Sequence, residues 1–153
     1  MIEQFVWTKR LLSREIKVVY PLIYKGVAYP DYGIDSTTGR VWSKKQGGWK
    51  SRKEHVSGKS PYPKLSIQDE WGYSKSIMVH VAAHETLNPV VPTPPGVTKK
   101  EWKATPQSVK NLMRDLWQVN HIDHNHLNFH PSNLEWVTAD ENVEAYQIFR
   151  EAA

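Results

Sequence analysis

A histidine and three asparagines near the carboxyl end are of types that can combine acid–base and metal chemistry. His121 lies at the end of a short apolar run, Asn133 follows a polar loop, and Asn142 falls in the first turns of a helical segment. An imidazole can take a proton from water near neutral pH, and an asparagine beside it can fix its tautomer. Amide oxygens such as those of Asn120 and Asn142 can help to hold a hard divalent cation. We therefore expect these side chains to converge.

A strand, a long loop, a second strand and a helix are predicted to position them. Residues 118–122 favour a strand, and residues 123–132, with Asn, Asp, His and Pro, favour a loop. Residues 134–137 favour a second strand. Thr138 and Glu141 have the spacing of a capping box, which predicts a helix start. The apolar residues of this helix recur at helical spacing and are Val143, Tyr146 and Phe149.

Several spaced elements of this segment agree in order with a known family. They are Val119-Asn120-His121-Ile122-Asp123, Asn128, Asn133-Leu134-Glu135-Trp136-Val137-Thr138 and Glu141-Asn142. The segment resembles the HNH nucleases, above all the phage and intron HNH homing endonucleases with the ββα-metal, or His-Me finger, fold. The resemblance implies that His121 is the general base and that Asn133 orients it and braces the loop. It also implies that Asn120 and Asn142 are the metal ligands.

Three positions depart from the family pattern. Asn120 stands where the family often has Asp, and a neutral ligand pair gives a weaker ion site that relies more on the DNA phosphate. Asn142 replaces the His of the third motif, a known variant of the pattern. His124 follows Asp123 where a Gly is usual, which bears on the geometry of the loop.

The activity implied by the resemblance is metal-dependent hydrolysis of phosphodiester bonds in double-stranded DNA, by nicking or by double-strand cutting. Mg²⁺ is the expected ion, and Mn²⁺ is expected to substitute for it. His80 falls where the family shows the pattern VHRLVA, whose Arg is Val81 here. We expect His80, Asp123 and Trp136 to be structural neighbours of the site. A phage or other mobile-element origin is also implied.

Two other interpretations of the same residues stay open. The loop has a dense group of histidines, and imidazole is a good zinc ligand. These histidines are His121, His124, His126 and His130. A structural zinc would leave the asparagine pattern unexplained, and the three later histidines fit a loop surface. The second alternative is a DNA-binding module with a degenerate nuclease centre, against which the intact His121, Asn133 and Asn142 argue.

The amino-terminal half is predicted to be β-rich. Residues 16–24 favour a strand in which Pro21 indicates an edge position or a break. Residues 32–45 favour two strands about a Ser-Thr-Thr-Gly turn. Residues 64–79 favour a hairpin, with Leu65 and Ile67 on one face, and a short helix follows over residues 80–87. The turn element resembles a module found beside homing-endonuclease catalytic domains, through Ile34-Asp35-Ser36 and Gly39-Arg40-Val41-Trp42-Ser43.

A basic ribbon over residues 40–64 is the expected DNA-binding segment. The segment is rich in basic residues and contains a single acidic one, Glu54. Glycines, serines and aromatic residues lie between the basic residues. The residues expected to contact DNA are Arg40, Lys44, Lys45, Lys50, Arg52 and Lys53. A solvated loop without a partner is the alternative. The net charge of +4 supports a polyanionic partner only mildly.

Prolines set the expected organisation of the chain. We predict a β-rich DNA-binding region at residues 1–87, an extended Pro-rich linker at 88–104, and a helix with the nuclease unit at 105–153. The helix after the linker is predicted to start at Thr105-Pro106, with the threonine as N-cap. Its expected core residues are Val109, Leu112, Met113, Leu116 and Trp117. Lys110 and Arg114 are expected to face away, within reach of a phosphate.

The predicted elements and the family resemblance imply an α+β protein, and its length of 153 residues fits one domain, or one domain and an appended module. The absence of cysteine excludes disulfides, cysteine-ligated zinc and thiol catalysis. Residues 1–14 are predicted to form a short helix or a packed arm, and they lack the apolar run of a secretory signal. No apolar run approaches the ~20 residues of a membrane span. We expect an intracellular protein, in the host cytoplasm if phage-encoded, that acts on double-stranded DNA as a monomer or weak dimer.

Overall fold

The amino-terminal sheet is antiparallel, with its strands in sequence order, in a computed structural model that describes residues 4–7 and 16–152. Its strands are β1 (Gln4–Trp7), β2 (Ile16–Tyr24), β3 (Val27–Asp35), β4 (Val41–Ser43) and β5 (Lys50–Ser51). Part of the predicted amino-terminal helix or arm is thus β1, and the rest of residues 1–15 lies outside the described residues. Lys25 and Gly26 join β2 to β3 with positive φ, which matches the twist of a tight hairpin.

The predicted break at Pro21 is confirmed, but the predicted edge position is wrong. β2 lies between β1 and β3, and its register against β3 shifts between Pro21 and Leu22. Proline has no N–H to donate, so a bulge relieves the ladder at this point. The two strands about the Ser-Thr-Thr-Gly turn are also confirmed as β3 and β4.

A second hairpin leads directly into the first helix, as predicted. It comprises β6 (Lys64–Gln68) and β7 (Ser74–Met78), and α1 (Val79–Leu87) follows. Leu65 and Ile67 are buried while Ser66 between them is exposed, as the period of two requires. The apolar face of the hairpin therefore turns toward the core.

One buried apolar cluster joins the amino-terminal sheet, the second hairpin, α1 and the carboxyl-terminal unit. Its members are Leu22, Tyr24, Tyr29, Tyr32, Ile34, Val41, Leu65, Ile67, Ile77, Val79, Ala82, Ala83, Phe129 and Leu134. The cluster includes residues on both sides of the predicted linker. The apolar core is therefore continuous across residues 88–104. The division of the chain at these residues stays a prediction.

Polar contacts of α1 fix it to the turn between β2 and β3. The buried Glu85 carboxylate accepts hydrogen bonds from the backbone N–H groups of Lys25 (2.6 Å) and Gly26 (2.7 Å). It also pairs with Arg114 at 2.6 Å. Thr86 Oγ1 accepts from Ile23 N at 2.8 Å. The expected phosphate contact of Arg114 is therefore wrong, because its guanidinium compensates a buried carboxylate.

The predicted linker is helical in its second part. α2 (Lys99–Ala104) buries Trp102, and Thr98 caps its first turn through a bond from Glu101 N. Thr105 is not an N-cap, because it closes α2 and its Oγ1 donates to Glu101 O at 2.8 Å. Lys110, expected to reach a phosphate, lies instead over the Trp102 ring at 5.1 Å.

The next helix, α3 (Gln107–Met113), is apolar on one side but does not form core. Leu112 is 81% exposed and Leu116, in the 3₁₀ turn Arg114–Leu116, is 53% exposed. The prediction that its apolar residues are buried is therefore wrong. Helical spacing shows which side chains share a face, but not whether another element covers that face.

The carboxyl-terminal unit has the predicted order of elements. It comprises β8 (Trp117–His121), a loop with the 3₁₀ turn Pro131–Asn133, β9 (Leu134–Thr138) and α4 (Ala139–Ala152). The capping box is confirmed, since Thr138 N donates to Glu141 Oε2 and Glu141 N donates to Thr138 Oγ1. Among the described residues, no helix is both long and apolar enough to cross a bilayer.

Replacing Glu85 with Ala should lower the free energy of unfolding by about 3–5 kcal/mol, because it leaves a partly buried guanidinium and two backbone donors without their acceptor. Urea unfolding followed by circular dichroism would measure the change. Glu144→Ala, at an exposed position of α4, is the control and should change stability by less than about 0.5 kcal/mol. Equal, small losses in both variants would contradict the role given to Glu85.

Candidate active site

His121, the last residue of β8, lies in a group of packed aromatic rings. Its side chain is 3% exposed, and its ring centroid lies 4.6 Å from that of His80, 5.9 Å from Tyr62 and 5.8 Å from His126. Tyr62 also stacks on His80 at 4.8 Å. The rings hold the His121 imidazole in one orientation, at the strand end where sequence reasoning expected a base.

Asn133 closes the loop between the two strands. Its Oδ1 accepts from Asp123 N at 3.0 Å, and its Nδ2 donates to Asp123 Oδ1 and to Asn128 O, both at 2.9 Å. Its backbone O accepts from Ile122 N at 2.8 Å. Its side-chain bonds brace the loop, and none described here goes to the His121 ring. The expected bracing of the loop by Asn133 is thus present, whereas the expected orienting contact with His121 is absent from the described hydrogen bonds.

Asp123 is the anionic centre of that loop. Its carboxylate accepts from Asn128 Nδ2 (2.9 Å) and Asn125 N (2.8 Å) as well as from Asn133. These hydrogen bonds, led by that of Asn128, lower the pKa of Asp123. His124 then turns the chain with φ +58, so it takes the left-handed conformation that a glycine would adopt without strain.

Asn120 and Asn142, the expected metal ligands, are both held by their amide nitrogens. Asn120 Nδ2 donates to Glu135 Oε1 at 3.0 Å, and Asn142 Nδ2 donates to Gln118 Oε1 at 2.9 Å. In the described part of the chain, neither Oδ1 accepts a hydrogen bond. Each asparagine thus offers its amide oxygen, which is the atom that a hard cation prefers.

A cavity of about 560 Å³ brings the expected base and both expected ligands together. Its lining residues are Tyr62, Val119, Asn120, His121, His124, His126, Asn142, Val143, Tyr146, Gln147 and Arg150. Val143 and Tyr146 are the exposed apolar face of α4, which turns toward this opening instead of into the core. The lining contains the imidazoles of His121, His124 and His126 and neutral amide side chains, and it contains no carboxylate.

The remaining loop histidines do not converge on a zinc site. His124 stacks on Phe149 at 4.3 Å, His126 packs against Tyr62 at 4.9 Å, and His130 Nδ1 lies 2.7 Å from Ser132 Oγ. No group of three or more His, Cys, Asp or Glu side chains within residues 4–7 and 16–152 is arranged to hold a metal ion. This arrangement counts against the zinc interpretation.

Burial keeps the inner histidines neutral. It lowers the pKa of His80 to about 3, with His121 and His126 adding to the shift, and lowers the pKa of His84 to about 4. Burial and the neighbouring His126 also lower the pKa of His121, while Asp123 raises it. The Trp136 ring packs on His84 at 4.9 Å, and its Nε1 donates to Asn88 O at 3.3 Å. His80 and Trp136 thus lie around α1 beneath the site.

Sequence reasoning missed Tyr62, Gln118 and Glu135 as neighbours of the site. Strand alternation could have found the last two, because Gln118 shares a face of β8 with Asn120, and Glu135 is the cross-strand partner of Asn120. Tyr62 offered no such signal, since it lies in a loop far away in the sequence.

Three of the six residues expected to bind DNA lie together in a second cavity, of about 440 Å³, between the first sheet and the second hairpin. They are Lys45, Lys50 and Arg52, and Ser43, Ser66 and Ser74 lie beside them. We call this the basic cleft. Arg40 instead pairs with Glu54 at 3.5 Å, Lys44 lies over the Trp49 ring, and Lys53 is exposed elsewhere.

Acid should destabilise the fold through the buried histidines. Between the folded-state pKa values of His80 and His84 and the ordinary value of 6.5, only the unfolded chain takes up these protons. The free energy of unfolding should therefore fall as the pH is lowered from about 6.5 to 4, and His84→Gln should reduce that dependence. Urea unfolding at several pH values measures it, and identical pH profiles of both proteins would contradict the assignment.

Comparisons with known proteins found similarity to a family model and to a solved structure. Residues 79–144 match a family model described as HNH endonuclease. Among solved structures, the chain is similar to one described as "DNA binding and cleavage by the HNH homing endonuclease I-HmuI", with a TM-score of 0.52 and 24% sequence identity. The alignment covers 80% of this chain and 54% of that one, so the chain spans about half the length of that endonuclease. Comparison with curated proteins gave no match.

The structural similarity confirms the predicted fold class, an α+β chain with an amino-terminal antiparallel sheet and an HNH unit. The family match begins at α1 and ends within α4, so it contains His80, the base position and both expected ligands. Residues 79–144 of this chain therefore match the HNH endonuclease family model, in agreement with the resemblance of their motifs.

Proposed function

We propose that this protein is a DNA endonuclease that hydrolyses phosphodiester bonds in double-stranded DNA with one divalent ion. The observation that carries the proposal is the cavity in which His121 meets the amide side chains of Asn120 and Asn142. The HNH family match over the same residues supports it independently. The chemistry requires an activated water, a stabilised phosphate and a held DNA strand, and a feature of the chain serves each need.

His121 serves as the general base. It is held between rings and neutral at physiological pH, because burial disfavours the imidazolium. A neutral imidazole can accept a proton from water, which then attacks phosphorus. Asn133 and Asp123 support this role from the loop, since their hydrogen bonds fix the end of β8 relative to the start of β9.

Asn120 and Asn142 would hold the ion through their Oδ1 atoms. Their amide nitrogens are already engaged, so the oxygens are the groups left for a cation. A bound divalent ion would neutralise the charge that develops on the phosphate and the leaving oxygen. Mg²⁺ is the proposed ion and Mn²⁺ its substitute, because both prefer oxygen ligands.

The basic cleft would hold the DNA backbone away from the cutting site. Lys45, Lys50 and Arg52 provide positive charge, and the serines of the cleft provide further donors to phosphate. Such contacts fix the position of DNA without reading its sequence. One HNH site in the chain makes a nick the simplest product, and a double-strand cut requires two chains or two events.

Replacing His121 with Ala should reduce cleavage of supercoiled plasmid by about 10²–10⁴-fold while DNA affinity changes by less than about twofold. Purified protein would be assayed with Mg²⁺, Mn²⁺, Zn²⁺ or EDTA, with binding measured on a labelled duplex. His55→Ala, an exposed histidine outside the cavity, is the control and should cleave like the wild type.

The outcomes separate the competing interpretations. Equal loss of cleavage and binding in the His121 variant would refute the general-base assignment. Absence of cleavage in every metal, with salt-sensitive binding retained, would favour a binding module with a degenerate centre. Stoichiometric zinc in an inactive protein would restore the zinc interpretation. Relaxed product without linear product would identify a nicking enzyme.

Replacing Lys50 and Arg52 with Ala should weaken DNA binding and flatten its salt dependence. The slope of log K against log salt is negative, and each lost phosphate contact should reduce its magnitude by about 1. Fluorescence anisotropy at several salt concentrations measures that slope. Lys99→Ala, which removes an exposed lysine of α2 outside the cleft, should leave it unchanged. The same slope in all variants would identify the cleft as a solvated surface.

A further inference from the structure

Each proposed metal ligand is held by a polar neighbour to which no role has been assigned. Glu135 accepts the hydrogen bond of Asn120 Nδ2 at 3.0 Å, and Gln118 accepts that of Asn142 Nδ2 at 2.9 Å. An asparagine has one oxygen and one NH₂ group at the end of a rotatable bond. An acceptor that engages the NH₂ group therefore decides which way the oxygen points.

Strand pairing explains why these neighbours lie where they do. Glu135 is the direct cross-strand partner of Asn120, and Gln118 is two residues before Asn120 on β8. All three side chains therefore project from one face of the β8–β9 pair. The bond from Asn142 to Gln118 extends this face onto α4. The bond between Asn120 and Glu135 joins β8 to β9, and the bond between Asn142 and Gln118 joins α4 to β8.

The Glu135 carboxylate also brings negative charge close to the proposed metal site. The cavity lining contains Arg150 but no carboxylate, and the two ligands are neutral amides. A divalent cation gains little electrostatic stabilisation from such a lining. Asp123, the acidic residue nearest His121 in sequence, has its carboxylate committed to Asn125, Asn128 and Asn133. Among the described residues, Glu135 is the one whose carboxylate contacts a proposed metal ligand.

We propose that Glu135 and Gln118 are positioning residues of the metal site. Both turn an asparagine oxygen toward the cavity, and Glu135 also supplies, through Asn120, negative charge that the ligand pair lacks. Hydrogen-bonded partners of metal ligands commonly tune affinity in this way. The inference rests on the proposed function, because it takes Asn120 and Asn142 as the ligands.

The first test needs no metal. In ¹H–¹⁵N spectra of the metal-free protein, Glu135→Ala should shift the side-chain amide signals of Asn120, and Gln118→Ala those of Asn142. Each substitution should leave the other asparagine's signals in place. Glu144→Gln, which removes a charge from an exposed site on α4, should leave both unchanged. Unshifted signals in the Ala variants would overturn the orienting contacts.

The second test titrates Mn²⁺ into the same proteins without DNA and follows the broadening of the Asn120 and Asn142 signals. Glu135→Ala should raise the Mn²⁺ concentration at half-broadening by about 10-fold or more, and Gln118→Ala by about 10-fold. Glu135→Gln keeps an acceptor but removes the charge, so its midpoint should lie between those of the wild type and Glu135→Ala. Glu144→Gln should titrate like the wild type.

The controls separate this inference from the proposed function. If Asn120→Ala raises the midpoint but Glu135→Ala and Gln118→Ala do not, the positioning roles are wrong while the ligand assignment stands. A wild-type midpoint in Glu135→Gln would overturn the charge contribution alone. If Asn120→Ala and Asn142→Ala also titrate like the wild type, the ligand assignment itself fails. Zinc-free protein prepared with EDTA should be used throughout.

Discussion

Burial of α1 between the amino-terminal strands and the carboxyl-terminal unit is the interaction on which the site depends. Ala82 and Ala83 are fully buried in the shared cluster, and their small side chains let neighbouring backbone approach closely. The turn at Gly39 uses that room, since a Cβ at Gly39 would lie 2.5 Å from Phe129 O in the loop between β8 and β9. The same helix carries His80, which packs on His121. The core thus determines where His121, the proposed base, lies.

The electrostatics of the site follow from this burial. Desolvation keeps His80, His84 and His121 in their neutral forms, and Asp123 is committed to hydrogen bonds within its own loop. The lining of the cavity contains Arg150 but no carboxylate. An ion bound there would depend on charge from outside the lining, from the DNA phosphate and, in our proposal, from Glu135.

Local patterns predicted the elements well where the chemistry is local. The capping box at Thr138, the hairpin around Gly72 and the break at Pro21 each depend on residues a few positions apart. Predictions about which residues contact one another within the fold were less successful. The apolar side of α3 was expected to be core, and Leu112 is exposed. Arg114 was expected to reach a phosphate, and it pairs with Glu85, whose burial no local pattern reveals.

The sequence by itself indicated the resemblance to HNH nucleases, the order of strand, loop, strand and helix, and the residue types of the candidate site, because motif spacing and capping are short-range properties. Only the tertiary structure decided that Asn133 bonds to Asp123, that Tyr62 packs on His121, and that Lys45, Lys50 and Arg52 line one cleft. These facts arise from contacts between segments far apart in the chain. Such contacts depend on how the core brings the segments together, which residue spacing does not encode.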